Sequence, residues 1–263
     1  IMSFHMYRTK SSCGIVGYPL NKPRSIPIWQ KYIKKYKINA KMYSFEVKPN
    51  SFSKFIKKIK NDHDFLAMAV TMPYKKKILK FLDKLDTFSK KTSSVNLVVK
   101  RKEKLFGYNT DIFGVSECIK KEIKKYQNII IIGLGGTGQA IFNYLNKTYK
   151  NKNFFLVTKR YRYKSKKVKV LKTINKTILN KKALIFNCTP LGSSLKKDFK
   201  NKIPIKEELI KEISKKSFIF DIIYSPEQTI LIKKCKILGL ETINGIRMNT
   251  LQAKRALKIV FKK

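Results

Sequence analysis

Residues 128–138 constrain the fold more than any other stretch of the chain. Asn128 opens a run of four isoleucines, 129–132, and such a continuous apolar run belongs in a parallel strand covered on both faces. It passes without a spacer into Gly133-Leu134-Gly135-Gly136-Thr137-Gly138, after which Gln139 to Lys147 reads as a helix. The G-x-G-x-x-G spacing has a physical meaning at a strand-to-helix junction. The first glycine permits the tight turn, the second lets the backbone approach a pyrophosphate, and the third lets the helix pack close to the strand. The helix start then faces the phosphates with free N–H groups. A tight structural turn would account for glycines in isolation. Here strand, loop and helix occur together, so the loop is expected to bind a dinucleotide.

Further strands are expected at 153–158, 183–187 and 217–222, with helical patterns between them. This β-then-α alternation predicts a doubly wound parallel sheet. The end of the strand after the glycine loop selects the cofactor. An acid there would accept from ribose hydroxyls, but the chain has Thr158-Lys159-Arg160. Two cations and a hydroxyl suit a 2′-phosphate, so NADP is the expected cofactor. Arg160 is more informative than Lys159, because the chain holds 53 Lys and only 7 Arg.

That lysine excess raises the question of a polyanion partner. Sixty basic against 16 acidic residues give a formal net charge of +44 over 263 residues. Readers of bases and phosphates lean on arginine, and the lysines are spread along the chain (Lys54, Lys57, Lys58 and Lys60, for example). The favoured residues also have AT-rich codons. Solvated lysine faces are therefore expected, with no specific nucleic-acid partner. Hydrophobic residues at 43% exclude disorder as a description of the whole chain, and the length fits one large domain or two compact ones. No apolar stretch approaches the roughly 18 residues of a membrane span, so neither a membrane span nor a signal peptide is expected. The four cysteines (13, 118, 188 and 235) are far apart without a CxxC pair. Neither a metal site nor a disulfide framework is expected, and a reducing cytoplasm is.

The N-terminal half predicts strands at 13–16, 42–47 and 64–70, with a pair at 95–99 and 105–108. A helix is expected from Pro27, with Ile28, Tyr32, Ile33 and Tyr36 on one face. A second carries Phe52, Phe55, Ile56 and Ile59 at amphipathic spacing. Pro73 starts another helix, and Thr110 caps a long one running to about Lys125. The segment 246–263 reads as a terminal helix, and the basic tract 159–172 as a solvated helix or loop.

Two strand-to-helix junctions carry chemistry. Val70-Thr71-Met72-Pro73-Tyr74-Lys75 places a cation in the first turn of a helix, where positive charge is disfavoured. Gly107-Tyr108-Asn109-Thr110-Asp111 places an acid at the other. Reduction of a ketone leaves charge on oxygen that a nearby acid must neutralise. A Lys75–Asp111 pair could do this, although a surface ion pair is the commoner outcome of such spacing.

These stretches resemble the shikimate dehydrogenase family. The matching segments run in order along nearly the whole chain: Gly17-Tyr18-Pro19-Leu20, Val70 to Lys75, Ser94-Val95-Asn96, Gly107 to Gly114 and Gly133 to Ala140. Asn187 to Gly192, Phe220 to Tyr224, and Asn244-Gly245 with Met248 and Gln252 complete them. The resemblance implies NADPH-dependent, reversible reduction of 3-dehydroshikimate to shikimate, with Lys75 and Asp111 as the catalytic pair. Thr71, Asn96, Asp111 and Gln252 would hold substrate hydroxyls, Tyr224 would close on the ring, and Ser25 would match the second serine of the family's carboxylate-binding Ser-x-Ser. Gly133, Leu134, Gly135, Gly136 and Thr137 would hold the pyrophosphate, Lys159 and Arg160 the 2′-phosphate, and Gly245 with Ile222 the nicotinamide side.

The implied architecture is an α/β substrate domain, residues 1–111 completed by the terminal helix 246–263, and a Rossmann-type domain, 112–245. The implied partner is a small molecule, and the implied state a monomer or homodimer. Pro23, Ala69 and Arg247 depart from the family pattern, at the first serine of Ser-x-Ser, the asparagine before V-T-x-P and the second glycine of G-L-G-M. Lys22, Arg24 or Arg247 could restore part of the carboxylate grip. Two other readings remain at this point: a quinate or quinate/shikimate dehydrogenase, and a non-catalytic polyanion-binding protein on the same fold.

Overall fold

The computed structural model describes residues 10–20, 23, 25–159, 163, 165–194 and 197–262. The chain forms two compact units, Ile1–Thr110 with Ala253–Lys263, and Asp111–Gln252. The division falls just before Asp111 and part-way along the C-terminal helix Gly245–Phe261.

In the first unit, β1 (Ser11–Gly17), β2 (Ala40–Glu46), β3 (Phe65–Val70), β4 (Lys84–Leu85), β5 (Leu97–Arg101) and β6 (Lys104–Tyr108) form one mixed sheet in the order β2-β1-β3-β5-β6-β4. β1 runs parallel to β2 and β3, whereas β5 runs antiparallel to β3 and β6. Strand alternation sorts the core onto two faces. Val16, Met68, Val70 and Val98 meet the helix Phe52–Asn61 through Phe52, Ile56 and Ile59. Cys13, Ala67, Leu97 and Val99 meet Trp29 of the helix Ser25–Lys35 and Ala256, Leu257 and Val260 of the C-terminal helix. The two-residue β4 carries no periodicity and was not legible in the sequence.

In the second unit, β7 (Asn128–Ile132), β8 (Asn153–Val157), β9 (Val168–Leu171), β10 (Ala183–Asn187), β11 (Phe218–Asp221) and β12 (Glu241–Ile243) form a sheet in the order β12-β11-β10-β7-β8-β9. Every pair is parallel. The chain starts at β7, moves outward through β8 and β9, then returns to the other side of β7 for β10. The carboxyl ends of β7 and β10 are therefore the switch point, where this architecture binds ligands. Ile129, Ile130 and Ile131 are wholly buried, as their run requires.

Two expectations are corrected here. The helix from Thr110 stops at Ile119, and a separate 3₁₀ turn covers Glu122–Lys125. That turn buries Ile123, so the apolar spacing is satisfied without a continuous helix. The basic tract 159–172 contains β9, an edge strand paired with β8. Val168 is buried and Lys169 exposed, a lysine placement suited to a sheet edge.

Candidate active site

Gly133 follows β7 directly, its N–H donating to the Val157 carbonyl at 3.0 Å. Its φ of +88° is left-handed, and an added Cβ would come 2.7 Å from Thr189 Cγ2. A Cβ on Gly138 would run into the Gly133 carbonyl oxygen. The fold itself thus requires these two glycines. Gly135 and Gly136 differ: no protein atom lies within 4 Å of a Cβ built on either. Gly135 sits at the start of the helix Gly136–Thr148 and has no side chain with which to cap it. This is an uncrowded backbone surface at a helix start, which fits a pyrophosphate. At the end of β8, Thr158 N–H donates to the Leu171 carbonyl at 2.8 Å and Lys159 is exposed. Arg160 lies outside the described residues.

The loops after β10 and β11 face the same sheet edge. Asn187 and Asp221 are both wholly buried. Burial pushes the Asp221 carboxyl up, and hydrogen bonds from Thr229, Ile223 and Asn187 pull it down. The Cys188 thiol is raised by burial first and by Asp221 second. Ile222 N–H donates to the Asn187 carbonyl at 3.2 Å. Gly245 N–H donates to the Ile223 carbonyl at 2.9 Å, and a Cβ on Gly245 would strike the Ile222 carbonyl. Ile222 and Gly245, expected on one side of the nicotinamide, are therefore in contact. Half-buried Tyr224 lies two residues beyond Ile222, and half-buried Gln252 lies farther along the helix that Gly245 begins.

In the first unit the turn after β3 is held from several sides. Thr71 N–H donates to the Val16 carbonyl at 3.0 Å, and Tyr74 N–H to the Thr71 carbonyl at 2.9 Å. Tyr74 is wholly buried, stacks on Phe52 at 3.9 Å, and donates its hydroxyl to the Val47 carbonyl. This anchor fixes the turn on which Lys75 is half-buried while Lys76 and Lys77 are exposed. Val95 N–H donates to the Lys75 carbonyl and Val70 N–H to the Asn96 carbonyl, both at 2.8 Å. Thr71, Lys75 and Asn96 are thus gathered where β3 ends and β5 begins.

The Asn96 amide is already engaged: Oδ1 accepts from Thr110 N–H at 2.7 Å, and Nδ2 donates to Thr110 Oγ1 at 2.9 Å. Asp111, next in sequence, is half-buried in the first turn of the helix Thr110–Ile119. Ser25 starts the helix Ser25–Lys35, and its Oγ is buried without a hydrogen-bond partner. The Pro23 carbonyl accepts from Ile26 N–H at 3.2 Å, while Lys22 and Arg24 lie outside the described residues. Ala69 is part of β3 and packs on the core, and Arg247 is exposed.

The residues that sequence reasoning did not single out are Asp221 and Thr229. Their signal was a lone acid closing the apolar strand Phe218-Ile219-Phe220. No group of residues able to hold a metal ion is found among the described residues, and no described helix is long and apolar enough to cross a membrane.

A doubly wound sheet with an uncrowded glycine loop at its switch point, in one chain with a mixed-sheet α/β unit, defines a two-domain, dinucleotide-binding class of Rossmann type. Residues 15–98 match the family described as shikimate dehydrogenase substrate binding domain. A shikimate dehydrogenase (NADP(+)) from Clostridium botulinum strain 657 is 32% identical over 259 residues, which cover 96% of this chain and 95% of that protein. One from Methanococcus vannielii is 30% identical, covering 89% and 86%. The crystal structure of the Aquifex aeolicus shikimate dehydrogenase superposes with a TM-score of 0.80 at 27% identity, covering 97% of this chain and 93% of that one. Another shikimate dehydrogenase, solved in complex with NADP+, gives 0.82 at 25% identity, covering 97% and 91%. The chain belongs to the shikimate dehydrogenase (NADP(+)) family.

Proposed function

We propose that the protein catalyses the reversible, NADPH-dependent reduction of 3-dehydroshikimate to shikimate. The observation that carries this reading is the presence, in a chain of this family, of a glycine loop open at Gly135 and Gly136 and a half-buried Lys75 fixed at a strand-to-helix turn.

Gly133 to Thr137 would hold the pyrophosphate of NADP, Lys159 and Arg160 its 2′-phosphate, and Ile222 with Gly245 the nicotinamide side. When bound, the reduced cofactor supplies the hydride equivalent that reduces a carbonyl carbon. Lys75 Nζ supplies the proton to the oxygen as charge builds on it, and takes that proton back in the reverse direction. Asp111 orients the lysine and, with Thr71, Asn96 and Gln252, holds the ring hydroxyls. Tyr224 covers the ring, and Ser25 meets the carboxylate. The buried, unpaired Ser25 Oγ supports that role, because an orphaned hydroxyl is costly unless something pairs with it. Pro23 offers neither a hydroxyl nor an N–H, so a cation on its loop, Lys22 or Arg24, shares the carboxylate grip. We infer that the enzyme works in the cytoplasm as a monomer or homodimer; its described cysteines are all buried thiols, in keeping with a reducing compartment.

Mixing the protein with NADP and shikimate and following absorbance at 340 nm tests the reading. Growth of the reduced-cofactor band with shikimate is the expected result. Growth with quinate in its place would reassign the substrate, and no growth with either would overturn the reading.

A further inference from the structure

Asn187 ends β10 and Asp221 ends β11, and the two are register partners across the parallel pair. Residues two apart on a strand share a face. Both side chains therefore project onto the face where Ala183, Ile185 and Ile219 pack against Leu231 and Cys235 of the helix Ile230–Ile237. A carboxylate in such apolar surroundings is expensive unless hydrogen bonds satisfy it. Here they do. Asp221 Oδ2 accepts from Thr229 Oγ1 at 2.6 Å, and Oδ1 accepts from Asn187 Nδ2 at 3.0 Å and from Ile223 N–H at 3.2 Å.

Each donor belongs to a different segment. Asn187 Oδ1 accepts in turn from the Thr189 N–H and hydroxyl, at 3.0 and 2.8 Å. Thr189 is the residue that Gly133 must be a glycine to avoid. Ile223 belongs to the turn that carries Ile222 and Tyr224. Thr229 also accepts from Ile232 N–H and so caps the helix behind the network. A hydrocarbon at position 221 would meet the demands of the core; only a group that forms several hydrogen bonds ties these three segments together.

We propose that Asp221 is a positioning residue for cofactor binding. Wholly buried, it reaches no ligand itself. It acts through Asn187 and Thr189 on the glycine loop, and through Ile223 on the Ile222–Tyr224 turn. The inference rests on the reading of that loop as an NADP cradle.

The test is NADPH affinity measured by fluorescence titration, which needs no turnover, with circular dichroism and thermal melts recorded alongside. Asp221→Ala is expected to raise the NADPH Kd about tenfold or more, since small misplacements of a binding loop are amplified at the ligand. Asp221→Asn is expected to stay close to wild type, because its Oδ1 can accept from Asn187 and Ile223 while its Nδ2 donates to Thr229 Oγ1. Thr229→Val, which keeps the shape and loses the donor, is expected to weaken binding by an intermediate factor. A purely structural role predicts lower melting temperatures with unchanged Kd in the folded fraction, and that result overturns the proposal. Should Asp221→Ala not fold, Thr229→Val decides: an unchanged Kd overturns the proposal and a weakened one supports it. Failure of wild type to bind NADPH would remove the cofactor reading and the inference with it. Wild-type binding with unaltered variants removes the inference alone.

Discussion

Lys75 carries a cation into the first turn of a short helix, where the backbone N–H groups disfavour positive charge. In the proposed function this cation is the group that gives its proton to the carbonyl oxygen. Lys75→Ala should lower turnover roughly 10²–10⁴-fold with NADP binding intact. Asp111→Asn should do much of the same damage, and the double variant little more than either alone, since the proposed mechanism has the two act as a unit. Steady-state kinetics on the three variants checks this, and near-normal turnover of Lys75→Ala would sink the mechanism.

Burial perturbs a lysine of the second unit. Lys152 is buried, its Nζ donates to the Tyr126 carbonyl at 2.7 Å, and burial holds its pKa below the ordinary lysine range. Between the folded value and the unfolded value of about 10.4, the unfolded chain binds more protons, so stability rises with pH across that window and is flat below it. Lys152→Met removes this slope. Its stability relative to wild type, from denaturant melts at increasing alkaline pH, should therefore fall as pH climbs through the window.

At the scale of elements, the glycine loop separates what the fold demands from what the ligand demands. Gly138→Ala places a methyl group against the Gly133 carbonyl and should cost about 1–3 kcal/mol of stability by overpacking. Gly135→Ala meets open space, at a φ of −67° that any residue adopts. It should change stability by less than about 1 kcal/mol while sharply weakening NADPH binding. Thermal melts paired with cofactor titrations distinguish the two, and equal loss of stability in both would refute the division. Strand, loop and helix were each legible here because the isoleucine run and the glycine spacing are local signals. Local signals failed where length was short or context decided. β4 and β12 are too brief for periodicity, β9 hid in a lysine tract, and the helix from Thr110 broke at Ile119 because a 3₁₀ turn buries Ile123 equally well.

For the whole molecule, a net charge of +44 makes self-repulsion a standing term. Salt screens it, with a Debye length of about 10 Å at 0.1 M and about 3 Å at 1 M. The melting temperature should therefore rise with sodium chloride; a fall would show that attractive ion pairs outweigh the repulsion. Nucleic-acid binding, measured by filter retention, should be weak, indifferent to sequence and lost steeply as salt rises, since dispersed lysines bind by counterion release. Tight, sequence-selective binding above physiological salt would contradict this.

The sequence by itself determined the parallel strand, the glycine loop and the family motifs around Lys75 and Asp111, because periodicity, glycine spacing and short motifs are written in neighbouring residues. The tertiary structure alone decided the strand order that makes a switch point of β7 and β10. It also decided which glycines meet protein and which meet open space. Asn187, Asp221 and Thr229 became one network only when β10 paired with β11. Hydrogen bonds between residues 34 positions apart depend on strand register, and register follows from packing the whole sheet rather than from any local run of sequence.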